Sequence, residues 1–388
     1  MTRPKPIALD LFCGAGGLSL GFEQAGFNVI GAIDQEDRHV ETYRRNFPWT
    51  KSVSADLSKA SGASLLKQVG GLPVGRELDV IFGGPPCQGF STGGKHNADD
   101  ERNSLVYHFA RILRELRPRY FVMENVAGML HRNVQHIAKS FKHRVRCAGY
   151  TVLEERVLDA SDFGVPQRRR RVFFIGHLTG EPPPTYPPTQ GFTDIEGNEY
   201  FPTVSDAIAD LPEVDSFEHL FHCETLKIPL GPPTHYARLM RGELRDLADK
   251  GRPRKPSKVL TGCLRTRHSA ETRARFKRTL PGEREPVSRF FRLHPDEIAP
   301  TLRAGTDHTR GSHTAPRPIH PTQPRCITVR EAARLHSFPD WFVFHPTRWH
   351  ALRQIGNSVP PRLAWAVAKE VYSVATATQM QRARATQA

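Results

Sequence analysis

One cysteine, one glutamate and a pair of arginines stand where a folded chain can use them as reagents. Cys87 lies in Gly83-Gly84-Pro85-Pro86-Cys87-Gln88-Gly89-Phe90-Ser91. The preceding Leu78-Asp79-Val80-Ile81-Phe82 is apolar and β-branched, as a buried strand requires, and two prolines then stop it, so the thiol emerges at a strand's carboxyl end. Ligand sites in open α/β sheets lie at that end. An isolated cysteine is more often a small buried filler, but the neighbours of this one argue for a nucleophile. Tyr120-Phe121-Val122-Met123-Glu124-Asn125-Val126 puts an acid at the end of a second apolar strand. A carboxyl beside a thiol suits a pyrimidine substrate, whose ring nitrogen is hydrogen-bonded or protonated while sulfur adds to the neighbouring carbon. Gln167-Arg168-Arg169-Arg170-Arg171 leads into Val172-Phe173-Phe174-Ile175, and strand alternation sends Arg169 and Arg171 to one face and Arg168 and Arg170 to the other. Only one pair can reach the glutamate.

A second set of residues suits a cofactor. Asp10-Leu11-Phe12-Cys13-Gly14-Ala15-Gly16-Gly17 follows the first strand-like run and opens a helix. The dinucleotide fingerprint needs a third glycine three residues after Gly16, and Ser19 stands there. Clustered glycines let a ligand lie against the backbone without demanding a pyrophosphate, as an S-adenosylmethionine site requires. Asp34, at the end of the second strand, is spaced for two ribose hydroxyls, and Asp56 for an adenine amine. Taken singly these are a tight turn and helix caps; together with Cys87 they mark a pocket.

The elements that must position these groups follow from periodicity. Strands are predicted over Ile7 to Phe12, Asn28 to Ile33, Asp79 to Phe82, Tyr120 to Met123, Val152 to Leu158 and Val172 to Gly176, with helical patterns between them, so the first part of the chain is α/β with a mostly parallel sheet. A polyproline stretch, Glu181-Pro182-Pro183-Pro184-Thr185-Tyr186-Pro187-Pro188, is read as a hinge. It sets residues 1–180 apart from a smaller, loop-rich region, 181–326, rich in proline, arginine and histidine. Regular pattern returns over 327–388, with a Thr328 cap, Glu331 at the third helical position and a last helix from Pro361 to about Ala375.

The 388 residues carry a formal charge of +15, which points to a polyanionic partner. Six dispersed cysteines suggest neither a disulfide framework nor a zinc ribbon, and the spacing of His308, His313 and His320 supports no metal site. With no signal-peptide core and no apolar run of membrane length, a cytoplasmic location is expected.

The motifs in order are Asp10 to Gly17, Pro85-Pro86-Cys87-Gln88, Glu124-Asn125-Val126, Gln167 to Arg171, Arg330-Glu331-Ala332-Ala333-Arg334-Leu335 and Gln354-Ile355-Gly356-Asn357-Ser358-Val359-Pro360-Pro361. With these the chain resembles the cytosine-C5 DNA methyltransferases over nearly all its length. The resemblance implies a Rossmann-like S-adenosylmethionine-dependent domain with a target-recognition domain over 181–326. It implies Cys87, Glu124, Arg169 and Arg171 as catalytic residues. Cofactor contacts would come from Phe12, Gly14, Gly16, Gly17, Leu18, Asp34, Asp56, Leu57, Pro85, Leu105, Asn357 and Ser358. Gln88, Ser91, Gln167, Arg252, Arg254, Arg265, Arg267 and Arg303 are expected to face double-stranded DNA. The expected protein is a monomer paired genetically with a restriction endonuclease. Alternatives are a transfer-RNA cytosine methyltransferase of the same fold, whose Cys-Phe-Thr signature is missing because Glu224 follows Cys223 and Leu264 follows Cys263, and a non-catalytic DNA-binding relative.

Overall fold

The structure, a computed structural model, describes residues 4–86, 104–193, 198–305 and 317–387. Eight strands form one sheet: β1 (Ile7–Leu11), β2 (Asn28–Asp34), β3 (Lys51–Ser54), β4 (Val80–Gly83), β5 (Tyr120–Val126), β6 (Tyr150–Val152), β7 (Arg156–Asp159) and β8 (Arg170–Leu178). Their order is β3-β2-β1-β4-β5-β8-β6, with β7 also on β8. The first five are parallel, β8 is antiparallel to β5, and β6 and β7 are antiparallel to β8. Chain order reverses between β1 and β4, which makes the crevice beyond their carboxyl ends a topological switch point.

Strands such as β1 and β4 are buried along their whole length, so both faces of the sheet need covering. Helices α1 (Gly17–Ala25) and α2 (Asp37–Asn46) follow β1 and β2, α3 (Gly62–Gln68) and α4 (Ser104–Leu116) flank β4, and α5 (Gln135–Cys147) follows β5. Beyond β8 lie α6 (Val204–Ile208), α7 (His235–Arg241), α8 (Ala270–Arg278), α9 (Val329–Leu335), α10 (Arg348–Asn357) and α11 (Pro361–Gln387). One core places Leu65, Phe109, Leu113, Ile137 and Phe141 of α3, α4 and α5 against the sheet. A second places Leu18 and Phe22 of α1 and Leu363, Val367 and Val371 of α11 on the opposite face. The two ends of the chain thus meet on one side of the sheet.

Several elements differ from expectation. The run Val152 to Leu158 is two strands on the same edge of β8, separated by Leu153-Glu154-Glu155, and β3 and α3 were not anticipated. β5 and β8 are longer than predicted, and α11 continues past Ala375 to Gln387. A third core draws on Leu20, Tyr43 and Phe47, on Val204, Ile208, Tyr236 and Leu302, and on Leu335, Phe338 and Ile355. The boundaries at 181 and 326 therefore cut through shared packing. Smaller clusters, Val214 with Leu220, Leu226 and Leu260, and Phe276 with Ile319 and Cys326, belong to the middle region alone.

Candidate active site at the carboxyl edge of the sheet

β4 ends in Gly83, and the chain turns through Gly84-Pro85-Pro86 toward Cys87, which lies outside the described residues together with Gln88 and Ser91. Gly83 has no room for a side chain, since a Cβ there would stand 1.9 Å from the Leu11 carbonyl oxygen on β1. Gly84 lies under Glu124, whose Oε2 would be 2.7 Å from such a Cβ. The acid is thus packed on the backbone three residues before the cysteine. Asn125 ties the two elements together by donating from Nδ2 to the Pro85 carbonyl at 3.2 Å.

Glu124 is 8% exposed and pairs through Oε1 with Arg171 Nε at 2.8 Å. Burial lifts its carboxyl above the ordinary range, while the charges of Arg171 and Arg169 work against the lift. Arg169 and Arg171 do share a face, with Arg168 and Arg170 exposed, but their tasks differ. Arg169 is fully buried and donates to the carbonyls of Leu302 at 3.1 Å and Gly356 at 2.6 Å. It binds the middle of the chain to the end of α10, whereas Arg171 holds the acid.

The glycine-rich turn divides its labour similarly. Phe12 leaves β1 in the left-handed region, φ 62°, and packs half-buried against the first core. A Cβ on Gly16 would stand 2.4 Å from the Phe47 ring, and one on Gly17 would stand 2.3 Å from the Val359 carbonyl oxygen, so both permit close packing of α1. Gly14, at φ 52°, faces open space with no atom within 4 Å of a Cβ position. Asp34 accepts from Gly14 N at 2.9 Å, from Glu36 N at 2.9 Å and from His39 Nδ1 at 3.2 Å. Burial alone would raise its carboxyl, but His39 and the two backbone donors outweigh that and keep it low. Asp56 Oδ1 accepts from the Ser58 amide and hydroxyl at 2.9 and 2.6 Å, bonds that lower its carboxyl. Leu18 and Leu57 are buried, Pro85 is buried beside Asn125, and Leu105 is half-buried on α4. Asn357 ends α10 exposed, and Ser358 donates to Gln354 O at 2.7 Å.

Two residues assigned no role from the sequence, His336 and the Asn125 of the Glu124-Asn125-Val126 motif, fix these pieces. Burial, with Arg169 and Arg171 adding to it, drives His336 well below its usual value, so it is neutral. Its Nε2 donates to Ser358 O at 3.0 Å and its Nδ1 accepts from Gln167 Nε2 at 2.9 Å. The long sequence separation of these partners hid them.

Among the residues expected to face DNA, Gln167, Arg254 and Arg265 need correction, and Arg252 lies at the far edge of the sheet. Gln167 is 0% exposed, with its amide spent on Leu335 O, His336 and Leu302 N. Arg254 lies over the rings of Trp49 and Trp341 at 4.1 and 4.4 Å and pairs with Glu23, which makes it a packing residue. Arg252 stacks on Trp49 beside the amino-terminal ends of the strands, away from the site. Arg265 is committed to Asp215 at 3.2 Å and to Phe217 O. Arg267 and Arg303 remain exposed, the former over the Phe221 ring at 4.3 Å, the latter on a loop packed against Gly356.

Fold and site define an α/β enzyme whose acid, glycine turn and proline-stopped strand converge at one topological switch point. The model of the family described as C-5 cytosine-specific DNA methylase matches residues 8–373, and the chain belongs to that family. It is similar to the type II methyltransferase M.XorII of Xanthomonas oryzae, 47% identical over 96% of this chain and 85% of the relative. It is also similar to M1.HphI of Haemophilus parahaemolyticus, 34% identical over 95% of this chain and 87% of the relative. A crystal structure of a candidate DNA modification methyltransferase from an E. coli prophage superposes with a TM-score of 0.77 at 32% identity, covering 96% of this chain and all of that one. The protein is a cytosine-C5 DNA methyltransferase. Among the described residues no helix is long and apolar enough to cross a membrane.

Proposed function

We propose that this enzyme methylates C5 of one cytosine within a short specific duplex sequence, as the protective partner of a restriction endonuclease. Similarity to two type II methyltransferases supports the second clause. The observation that carries the first is Glu124, packed on Gly84 and ion-paired to Arg171, at the edge where the chain turns to Cys87.

S-adenosylmethionine fits the turn: Gly14 leaves its backbone open, Asp34 offers a carboxylate at the strand end, and the half-buried Phe12 offers a ring. Phe12, Gly14, Asp34, Asp56, Leu105, Asn357 and Ser358 would hold it. When bound, it supplies an electrophilic methyl group. On the substrate, the Cys87 thiolate adds to C6 as Glu124 lends a proton to N3, and C5 becomes the carbon that accepts the methyl. A base from solvent takes the C5 proton, the C5–H electrons re-form the C5–C6 double bond as the thiolate leaves C6, and the N3 proton returns to Glu124. A free thiol, of pKa about 8.5, needs a positive field to ionise, and Arg169 and Arg171 add to one. None of these atoms is reachable in a stacked duplex, so the cytosine leaves the helix, at a cost of about a few kcal/mol. Arg267 and Arg303 are the proposed DNA contacts.

The test is bisulfite sequencing of DNA from a methylation-deficient host expressing the wild type, Cys87→Ser or Glu124→Gln. Protected cytosines at one position of one short sequence are expected with wild type alone. Wild-type protection by Cys87→Ser would sink the covalent chemistry.

A further inference from the structure

The opposite edge of the sheet carries a feature that methyl transfer does not use. A cavity of about 370 Å³ opens where β1 and β2 begin, lined by Lys5, Ile7, Asn28, Pro73, Arg76 and Arg252. The seven residues of β2 place it roughly 20 Å from Asp34 at the carboxyl edge.

Its charge is one-sided. Lys5, Arg76 and Arg252 form no ion pair with a carboxylate among the described residues; Lys5 Nζ donates to Lys250 O at 3.0 Å, Arg76 to Lys5 O at 2.8 Å, and Arg252 lies over the Trp49 ring at 5.0 Å. The two acids nearest in charge to Lys5 are already engaged. Glu23 accepts from Trp49 Nε1, from Arg252 N and from Arg254, and Asp249 from Gly251 N, Gln24 and Arg245. Burial and the neighbouring Arg252 accordingly lower the Lys5 ammonium. Each cation spends one donor on a carbonyl or a ring face and keeps others. Ile7 and Pro73 supply an apolar wall that strengthens any charge contact made there.

We propose that this cavity binds a phosphate group, held by Lys5, Arg76 and Arg252 with the Asn28 amide as a neutral donor. Ammonium and guanidinium groups around one concavity are the donors that phosphate oxygens accept. The phosphate comes either from a nucleic-acid backbone, which would give this basic chain a second hold on its DNA, or from a small phosphorylated molecule.

The full-length enzyme would be titrated with inorganic phosphate against chloride at matched ionic strength, following the thermal midpoint. Saturable stabilisation is expected in the wild type. It should weaken at least fivefold in the Lys5→Gln/Arg76→Gln double variant and in Asn28→Asp, which keeps every cation and adds a carboxylate. Methylation of a short duplex should not change in either. Equal responses of wild type and both variants would overturn the site. Binding to a long duplex identifies the source: a salt slope shallower by about one in the double variant marks a backbone phosphate, and an unchanged slope a small ligand.

Discussion

Glu124 and Arg171 form a pair whose purpose is electrostatic poise. A buried carboxyl left alone would be protonated throughout, and a fully paired one would never lend its proton. Here burial raises it and two arginines restrain the rise. Arg171→Met removes the 2.8 Å contact and one positive charge, so the Glu124 carboxyl moves further up. The pH limb of kcat assigned to Glu124 should then shift to higher pH, and kcat should fall by about two to four orders of magnitude, the usual weight of a positioned acid or base. Duplex affinity should change little. Methyl incorporation across pH, with binding measured separately, checks this; an unshifted limb would assign Arg171 to substrate holding alone. Arg169→Lys differs in kind, because Arg169 joins Leu302 O to Gly356 O and its loss should lower stability along with rate.

Elements reach this geometry because glycine lets them approach without side chains. Helix α1 crosses α11 at Gly21, where a Cβ would meet Trp365 N at 2.4 Å and Ala364 Cβ at 2.5 Å. Trp365 N and the Ala364 carbonyl carbon, the latter at 2.6 Å, are backbone and cannot swing away, so Gly21→Ala should destabilise by about 1–3 kcal/mol, read as a lower thermal midpoint. An unchanged midpoint would mean the helices separate freely. The contact also marks where the sequence is legible and where it is not. Buried parallel strands announce themselves as apolar runs, so β1, β2, β4, β5 and β8 were placed from local pattern, and the Thr328 and Glu331 capping box formed as read. β3 escaped because Lys51-Ser52-Val53-Ser54 is polar and pairs only at the sheet's rim. The glycine turn and the face shared by Arg169 and Arg171 came from spacing. The separate duties of those arginines, the stacking of Arg254 and the burial of Gln167 depended on partners tens to hundreds of residues away.

At the scale of the molecule, the middle of the chain and its end are joined by buried charge. Asp210 receives Arg241 at 2.6 Å and Arg334 at 3.1 Å, and Arg334 also holds Asp340 at 2.6 Å. Arg325 bridges Glu213 at 3.1 Å and Glu331 at 2.8 Å. Two of these pairs, Asp210 with Arg334 and Arg325 with Glu331, span the boundary drawn at 326, as the third core does, so the two parts should unfold together. Burial alone would raise Glu331, yet Arg325, His320 and the Thr328 amide hold it down at about 2. A carboxyl so depressed contributes stability in full above its unfolded value, about 4.3, and loses it as pH falls from there toward 2. Glu331→Gln leaves Arg325 with Glu213 as its remaining carboxylate, and at pH 7 should cost at most about 3–5 kcal/mol, the usual penalty for breaking a buried pair. Near pH 2.5 the wild type is itself losing the same charge, so the gap between the two proteins should narrow. Denaturant unfolding at both pH values, followed by tryptophan fluorescence and far-UV circular dichroism, measures the gap and the cooperativity at once. A gap independent of pH would remove Glu331 from the linkage, and two separated transitions would show that the recognition region folds on its own despite the shared core.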